Sequence, residues 1–294
     1  MSKFRLRGKR RKNREPGEGS VPLRAIVPNL ITCMAACGGI TAIAICATNY
    51  AKTLAQQPVA TRDWVLALVA LLVACVCDAM DGRVARLLKC SSKLGAELDS
   101  LADFVNFGVA PAMFLYFWVL SGNTALPLGT KQLLLAFALF YAMCDAFRLA
   151  RFNTMLEQET APYWKHFFTG VPAPGGCWMV LTPAMIALAL DLKWSPSPYL
   201  GIFMLLFVGS LMASRLPTIS LKHLHVRKTW LPVVLAGLLL LVALLVSNFW
   251  LTLGVVGIGY ILTVPLTGWI FVRVRGRCER DHGLCALDDS PAKV

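Results

Sequence analysis

Eight apolar runs, at roughly 25–48, 62–82, 96–120, 131–150, 168–190, 197–214, 230–247 and 250–272, leave this chain few ways to fold. Crossing the hydrocarbon layer of a bilayer takes about 20 mostly apolar residues, and a helix does it because it satisfies its own backbone polar groups where water cannot. Every run approaches that length, although the sixth is short and only Ser247 and Asn248 separate the seventh from the eighth. A soluble domain of 294 residues would carry more charge than the 15% found here beside 57% hydrophobic residues. The expected fold is therefore all-α, a polytopic membrane helix bundle with about eight transmembrane helices. No internal repeat is visible. Residues 25–272 read as one membrane domain, between an arm at 1–24 and a tail at 273–294. The first run is not expected to be a cleaved signal, because the basic region before it is long and no small-residue cleavage site follows.

Charge placement gives the topology. The net charge is +13, and 25 of the 29 Lys and Arg fall in the arm, the tail and the connections at 83–93, 148–165 and 215–228. The alternate connections keep only Lys52, Arg62, Lys131 and Lys193. Basic residues collect on the cytoplasmic side of membrane proteins, so both termini and those three connections are expected there. The arm carries Arg10, Arg11, Lys12 and Arg14 amid Gly, Glu and Pro. It reads as disordered, and beside a bilayer it suits anionic lipid headgroups rather than nucleic acid. Most of the ten cysteines lie in apolar stretches and read as small buried hydrophobes, not disulfides. A homodimer is compatible with such a bundle.

The second and third runs contain what a membrane helix normally avoids. Asp78 and Asp81 are three residues apart, Asp99 and Asp103 four apart, so each pair shares one face of its helix. A charge at mid-membrane costs roughly 2.5–3.5 kcal/mol on insertion scales, less near the interface. Four acids on adjacent helices also repel one another, and cations held between them would relieve both costs. Clustered hard oxygen ligands suit Mg²⁺, Mn²⁺ or Ca²⁺ rather than zinc. Four carboxylates can bridge two such ions about 3.5–4 Å apart, an arrangement that clamps a diphosphate while an oxygen nucleophile attacks. The plainer alternative is a set of helix-end aspartates reaching water at the cytoplasmic surface.

The pattern Asp78-x2-Asp81-Gly82-x2-Ala85-Arg86-x8-Gly95-x3-Asp99-x3-Asp103 resembles the signature of the CDP-alcohol phosphatidyltransferase family at every fixed position. The resemblance implies two Mg²⁺ or Mn²⁺ ions bound by Asp78, Asp81 and Asp99. It implies also that Asp103 completes the second site and acts as general base, and that Gly82, Arg86 and Gly95 belong to a CDP pocket. The residues themselves are consistent with that. Glycines at 82 and 95 allow close approach where a Cβ would clash. Ala85 keeps the wall low, and Arg86 offers a fork for phosphate oxygens. Helix-packing glycines and an inside-loop charge would explain each of these singly.

Three further stretches bear on the acceptor. Asn29 and Thr32, in Pro28-Asn29-Leu30-Ile31-Thr32, fall about one turn apart at the start of the first helix, within reach of metal or phosphate. Pro-started helices with a nearby Asn are common, so that role stays open. Arg148 and Arg151 share a face at the cytoplasmic end of the fourth run and are followed by Asn153. A Gly170-x-Pro172-x-Pro174 hinge then opens the fifth run, and Arg215 precedes Pro217 at the end of the sixth. Guanidinium groups there suit phosphate oxygens or a carboxylate. Together these stretches resemble the phosphatidylserine synthase branch of the family. The resemblance implies CDP-diacylglycerol as donor and L-serine as acceptor, with an arginine among Arg148, Arg151 and Arg215 on the serine carboxylate. It also implies a multi-pass protein of a bacterial inner membrane with its active site on the cytoplasmic side. The same chemistry on glycerol phosphate, inositol phosphate or choline is the nearest alternative. A non-enzymatic carrier with a cation path is the more distant one, and it lacks the repeated halves such proteins often show.

Overall fold

The computed structural model describes residues 23–88, 90, 92–155, 167–191, 197–214, 217–219 and 230–282. The basic arm, Arg215 and most of the connections after Asn153 and Ser214 lie outside the described residues. Helices occupy all eight expected places. α1 (Leu23–Leu54) and α2 (Thr61–Leu87) form an antiparallel pair, closed at its far end by an ion pair of 3.1 Å between Lys52 and Asp63. Small residues let them approach closely: a Cβ on Gly38 would stand 3.0 Å from that of Ala74.

The third run is a composite. α3 (Lys93–Asp103) passes through a π-helical turn (Phe104–Val109) into α4 (Ala110–Gly122). Pro111 has no N–H to give to the Phe107 carbonyl four residues back. The helix widens just there, and the Tyr141 hydroxyl donates to that carbonyl at 2.9 Å. Such single π turns are frequent at functional sites, and this one begins immediately after Asp103.

α5 (Leu128–Met155) runs further than expected, so Arg148, Arg151 and Asn153 are all still on it. α6 (Ala173–Ala189) starts later than expected, because β1 (Phe167–Thr169) pairs antiparallel with β2 (Pro217–Ile219) instead. This short pairing is the one departure from an all-helical fold among the described residues. Gly170 has φ +80, and Met212 O and Ser214 O leave no room for a Cβ, which fixes glycine at the turn into α6. α7 (Pro198–Ala213) follows, then α8 (Leu231–Ser247) and α9 (Phe249–His282). Asn248 is the whole connection between the last two. α9 continues ten residues past the expected boundary at 272, where Arg and Glu favour helix.

Four helical stretches are long and apolar enough to span a bilayer: Ile26–Leu54, Thr61–Leu87, Lys93–Gly122 and Leu128–Thr154. Ala173–Ala189, Pro198–Ala213, Leu231–Ser247 and Phe249–Val264 are shorter apolar helices. The core lies among α4, α5, α6 and α7, where Phe107, Phe114, Tyr141, Met179, Leu205 and Met212 are fully buried. α1, α2 and α3 pack beside that core and carry the acidic motif.

Candidate active site

Asp78 and Asp81 stand in the last turns of α2, and a short connection brings α3 back beside them. Ser92 caps α3, its Oγ accepting from the Gly95 N–H at 3.0 Å, which sets the helical register that aims Asp99 at α2. One oxygen from each of Asp78, Asp81 and Asp99 lies within 4.8 Å of the others. Asp103, one turn on, is not one of this compact trio but shares a side-chain hydrogen bond with Asp78 and is in electrostatic contact with Asp81 and Asp99. α1 contributes Thr32, whose hydroxyl lies 2.6 Å from Asp81 Oδ2 and 3.1 Å from the Pro28 carbonyl. It has one proton to give, and the shorter, charge-assisted contact is the stronger claimant.

Among the described residues no Lys or Arg comes within 4.0 Å of any of the four aspartates; both ion pairs there involve Asp63 at the other end of α2. Asp81 is 3% exposed, which removes the reading of a helix-end acid reaching water for that residue. Asp78 Oδ1 is buried with no hydrogen-bond partner. Asp81 accepts from Thr32 and from the Gly82 N–H, and Asp78 shares a side-chain hydrogen bond with Asp103, yet none of these partners brings a positive charge. Buried carboxylates without one are costly unless they coordinate a metal. An all-oxygen donor set of this kind fits a hard divalent cation.

A cleft of about 220 Å³ opens beside the carboxylates, and its walls include Asn29, Thr32, Asp81, Gly82, Ala85, Arg86, Gly95 and Asp99. The four residues singled out in the sequence for a CDP pocket and the two, Asn29 and Thr32, placed within reach of metal or phosphate thus face one space. A Cβ on Gly82 would meet nothing within 4 Å, so its missing side chain leaves open room. A Cβ on Gly95 would stand 2.8 Å from Asn29 Oδ1, so glycine there lets α3 approach α1. The Arg86 Nε donates to the Gly82 carbonyl at 3.0 Å and the side chain is otherwise exposed. Pro28, Cys90, Ser92 and Ala96 complete the wall. Of these, Ser92 was legible as a helix cap ahead of Gly95.

The basic residues of α5 separate. Arg151 donates through Nη2 to Ala213 O at 2.7 Å and through Nη1 to Ser214 O at 3.4 Å, tying α5 to the end of α7. Asn153 donates to Ser100 Oγ at 3.0 Å, beside Asp99. Arg148 instead faces the acidic site: Asp103, Asp145, Tyr141 and Tyr260 are the charged and titratable groups that act on it. Asp145 was passed over in the sequence, although it interrupts the apolar run 131–150 as plainly as the motif aspartates interrupt theirs.

The sequence pattern of the CDP-alcohol phosphatidyltransferase family matches residues 25–213. A CDP-diacylglycerol–serine O-phosphatidyltransferase of Mycobacterium leprae is 35% identical over 241 residues, covering 82% of this chain and 73% of its own length. One of Mycobacterium tuberculosis is 34% identical over 241 residues, covering 82% and 77%. One of Helicobacter pylori strain J99 is 32% identical over 219 residues, covering 72% and 83%.

Proposed function

The chain belongs to the CDP-alcohol phosphatidyltransferase family, and we propose that it transfers the phosphatidyl group of CDP-diacylglycerol to L-serine, giving phosphatidylserine and CMP. The observation that carries the reaction class is the trio of carboxylates, with no basic side chain within 4.0 Å among the described residues, at the edge of a cleft walled by Gly82, Ala85, Arg86 and Gly95. The relatives, each named for serine as acceptor, support the choice of alcohol.

Asp78, Asp81, Asp99 and Asp103 would hold two Mg²⁺ or Mn²⁺ ions, which supply charge neutralisation at the diphosphate and at the departing CMP. Thr32 fixes the Asp81 carboxylate through its 2.6 Å contact. Asn29 and Arg86 line the space the nucleotide would take. Asp103 accepts the serine hydroxyl proton as that oxygen bonds to the lipid-side phosphorus and the phosphorus–oxygen bond to CMP breaks. It is suited to this because it flanks the compact trio on the side of Arg148. Arg148 holds the serine carboxylate; Arg151 has committed its guanidinium to the α7 backbone. The domain is a multi-pass protein of a bacterial inner membrane, embedded through residues 25–272, with the site at the cytoplasmic face where the basic connections gather.

An acceptor screen tests the assignment. Purified protein, CDP-diacylglycerol and Mn²⁺ are incubated in parallel with labelled serine, glycerol phosphate, inositol phosphate and choline. Label should enter lipid with serine alone. Faster labelling from glycerol phosphate, inositol phosphate or choline replaces the acceptor and leaves the reaction class standing. No labelling from any alcohol overturns the enzyme reading.

A further inference from the structure

One turn before Arg148, the same face of α5 carries Asp145, whose side chain is 0% exposed. Neither of its oxygens has a hydrogen-bond partner, and the Nε of Arg148 has none either. Arg148 and Asp103 are the charged residues that act on Asp145 electrostatically. Among the described residues no carboxylate oxygen comes within 4.0 Å of an Arg148 nitrogen. The three groups are close enough to feel one another and too far apart to satisfy one another. Glycine at 108, in the π turn that follows Asp103, borders the same place: a Cβ there would stand 2.8 Å from Asp145 Oδ2. Any larger residue at 108 would close the space beside the carboxylate.

Serine carries an ammonium, a carboxylate and a hydroxymethyl group on one carbon. We propose that Asp145 receives the ammonium group of the acceptor, completing with Arg148 and Asp103 a three-point site for a zwitterionic amino alcohol. This rests on the reading above, in which Arg148 takes the carboxylate and Asp103 the hydroxyl proton. Charge balance supports it. The Asp145–Arg148 pair is neutral and so is the zwitterion, so docking one on the other brings no net charge into an apolar interior and pairs each buried ion. An acceptor lacking the ammonium leaves Asp145 unmatched, and one lacking the carboxylate leaves Arg148 unmatched. Discrimination of that kind is large when a site's buried polar groups are left unpaired.

The test uses full-length protein and the near-isosteric substitution Asp145→Asn, with L-serine and 3-hydroxypropanoate, which lacks the ammonium, as competing acceptors. Asp145→Asn should raise the serine KM about 10-fold or more. It should leave the CDP-diacylglycerol KM unchanged and the apparent affinity for 3-hydroxypropanoate unchanged, so the preference for serine collapses by the same factor. Equal loss with both acceptors shows Asp145 acting on the fold or on Arg148 alone and overturns the proposal, as does an unchanged serine KM. A wild-type protein that transfers nothing to serine removes the acceptor assignment first, an outcome read before any variant is made.

Discussion

α6 and α8 are both seventeen-residue apolar helices, each opened by a proline in its first turn, and they end in opposite environments. Eleven residues of α6 are buried, from Ala173 to Ala187, and none of α8. α6 packs on α2, α4, α7, α9 and the π turn, while α8 packs appreciably on α9 alone. Apolarity does not separate them, since in a bilayer lipid tails solvate leucine as well as protein does. Shape does. α6 reads APGGCWMVLTPAMIALA, with small residues that let neighbours close in: Gly175 meets Tyr260 and Gly176 meets Met212. α8 reads LPVVLAGLLLLVALLVS, a near-uniform leucine surface with nothing specific to lock onto. The protein thus has a packed side that positions chemistry and an outer side that the rest of the described chain leaves bare.

The largest effects belong to the packed side's carboxylates. Removing divalent cation with a chelator should abolish transfer, and Mg²⁺ or Mn²⁺ should restore it. Asp81→Asn and Asp103→Asn should each lower kcat/KM by on the order of 100-fold or more, as loss of a metal ligand or of a general base does. The two should differ in kind. High Mn²⁺ should partly rescue Asp81→Asn, which weakens ion affinity, and leave Asp103→Asn low, because an amide cannot accept the proton. Equal rescue of both would make Asp103 a ligand only and send the search for the base elsewhere. Full turnover in metal-free buffer would remove the cation from the reaction.

The next test divides structure from chemistry within one helix. Lys keeps the charge of Arg but not its planar fork. Arg148→Lys should raise the serine KM about 10-fold, a loss of roughly 1.4 kcal/mol, with the CDP-diacylglycerol KM unmoved. Arg151→Lys should loosen the bonds to Ala213 O and Ser214 O, lowering thermal stability and affecting every acceptor alike. The reverse pattern would exchange the two roles.

This division marks where sequence reasoning reached and where it stopped. The eight helices, the turn at Asn248 and the convergence of Asp78, Asp81 and Asp99 follow from apolar length and i, i+3 or i, i+4 spacing, which are local properties. So does the cleft wall, because Gly82, Ala85 and Arg86 share a helix with Asp81 and Ser92 caps the next. Non-local partners were not legible. Nothing in the spacing of Arg148 and Arg151 says that one turns to the acids and the other to the end of α7. The π turn depends on a carbonyl freed by Pro111 meeting a tyrosine thirty-four residues on. The β1–β2 pairing joins segments on either side of two helices. Asp145 was legible by the same reasoning as the motif acids, and was missed because it stands alone in its run.

The smallest effect expected is also the one that most directly tests the contrast between α6 and α8. Gly176→Val places a side chain against Met212 inside the α6–α7 contact. Overpacking of this sort costs about 1–3 kcal/mol, so the thermal midpoint should fall and activity with it. Gly237, in α8, has nothing within 4 Å of an added Cβ. Gly237→Leu adds a larger side chain, yet its effect should stay within about 0.5 kcal/mol, as for an exposed substitution away from any special feature. The two variants, compared in the same detergent and again in bilayers, isolate packing from hydrophobicity, since both add apolar volume to an apolar helix. If Gly237→Leu destabilises as much as Gly176→Val, or shifts the protein's size in solution, then α8 is covered by a second copy of the chain. Its bare leucine face would then be half of an interface instead of a boundary with lipid.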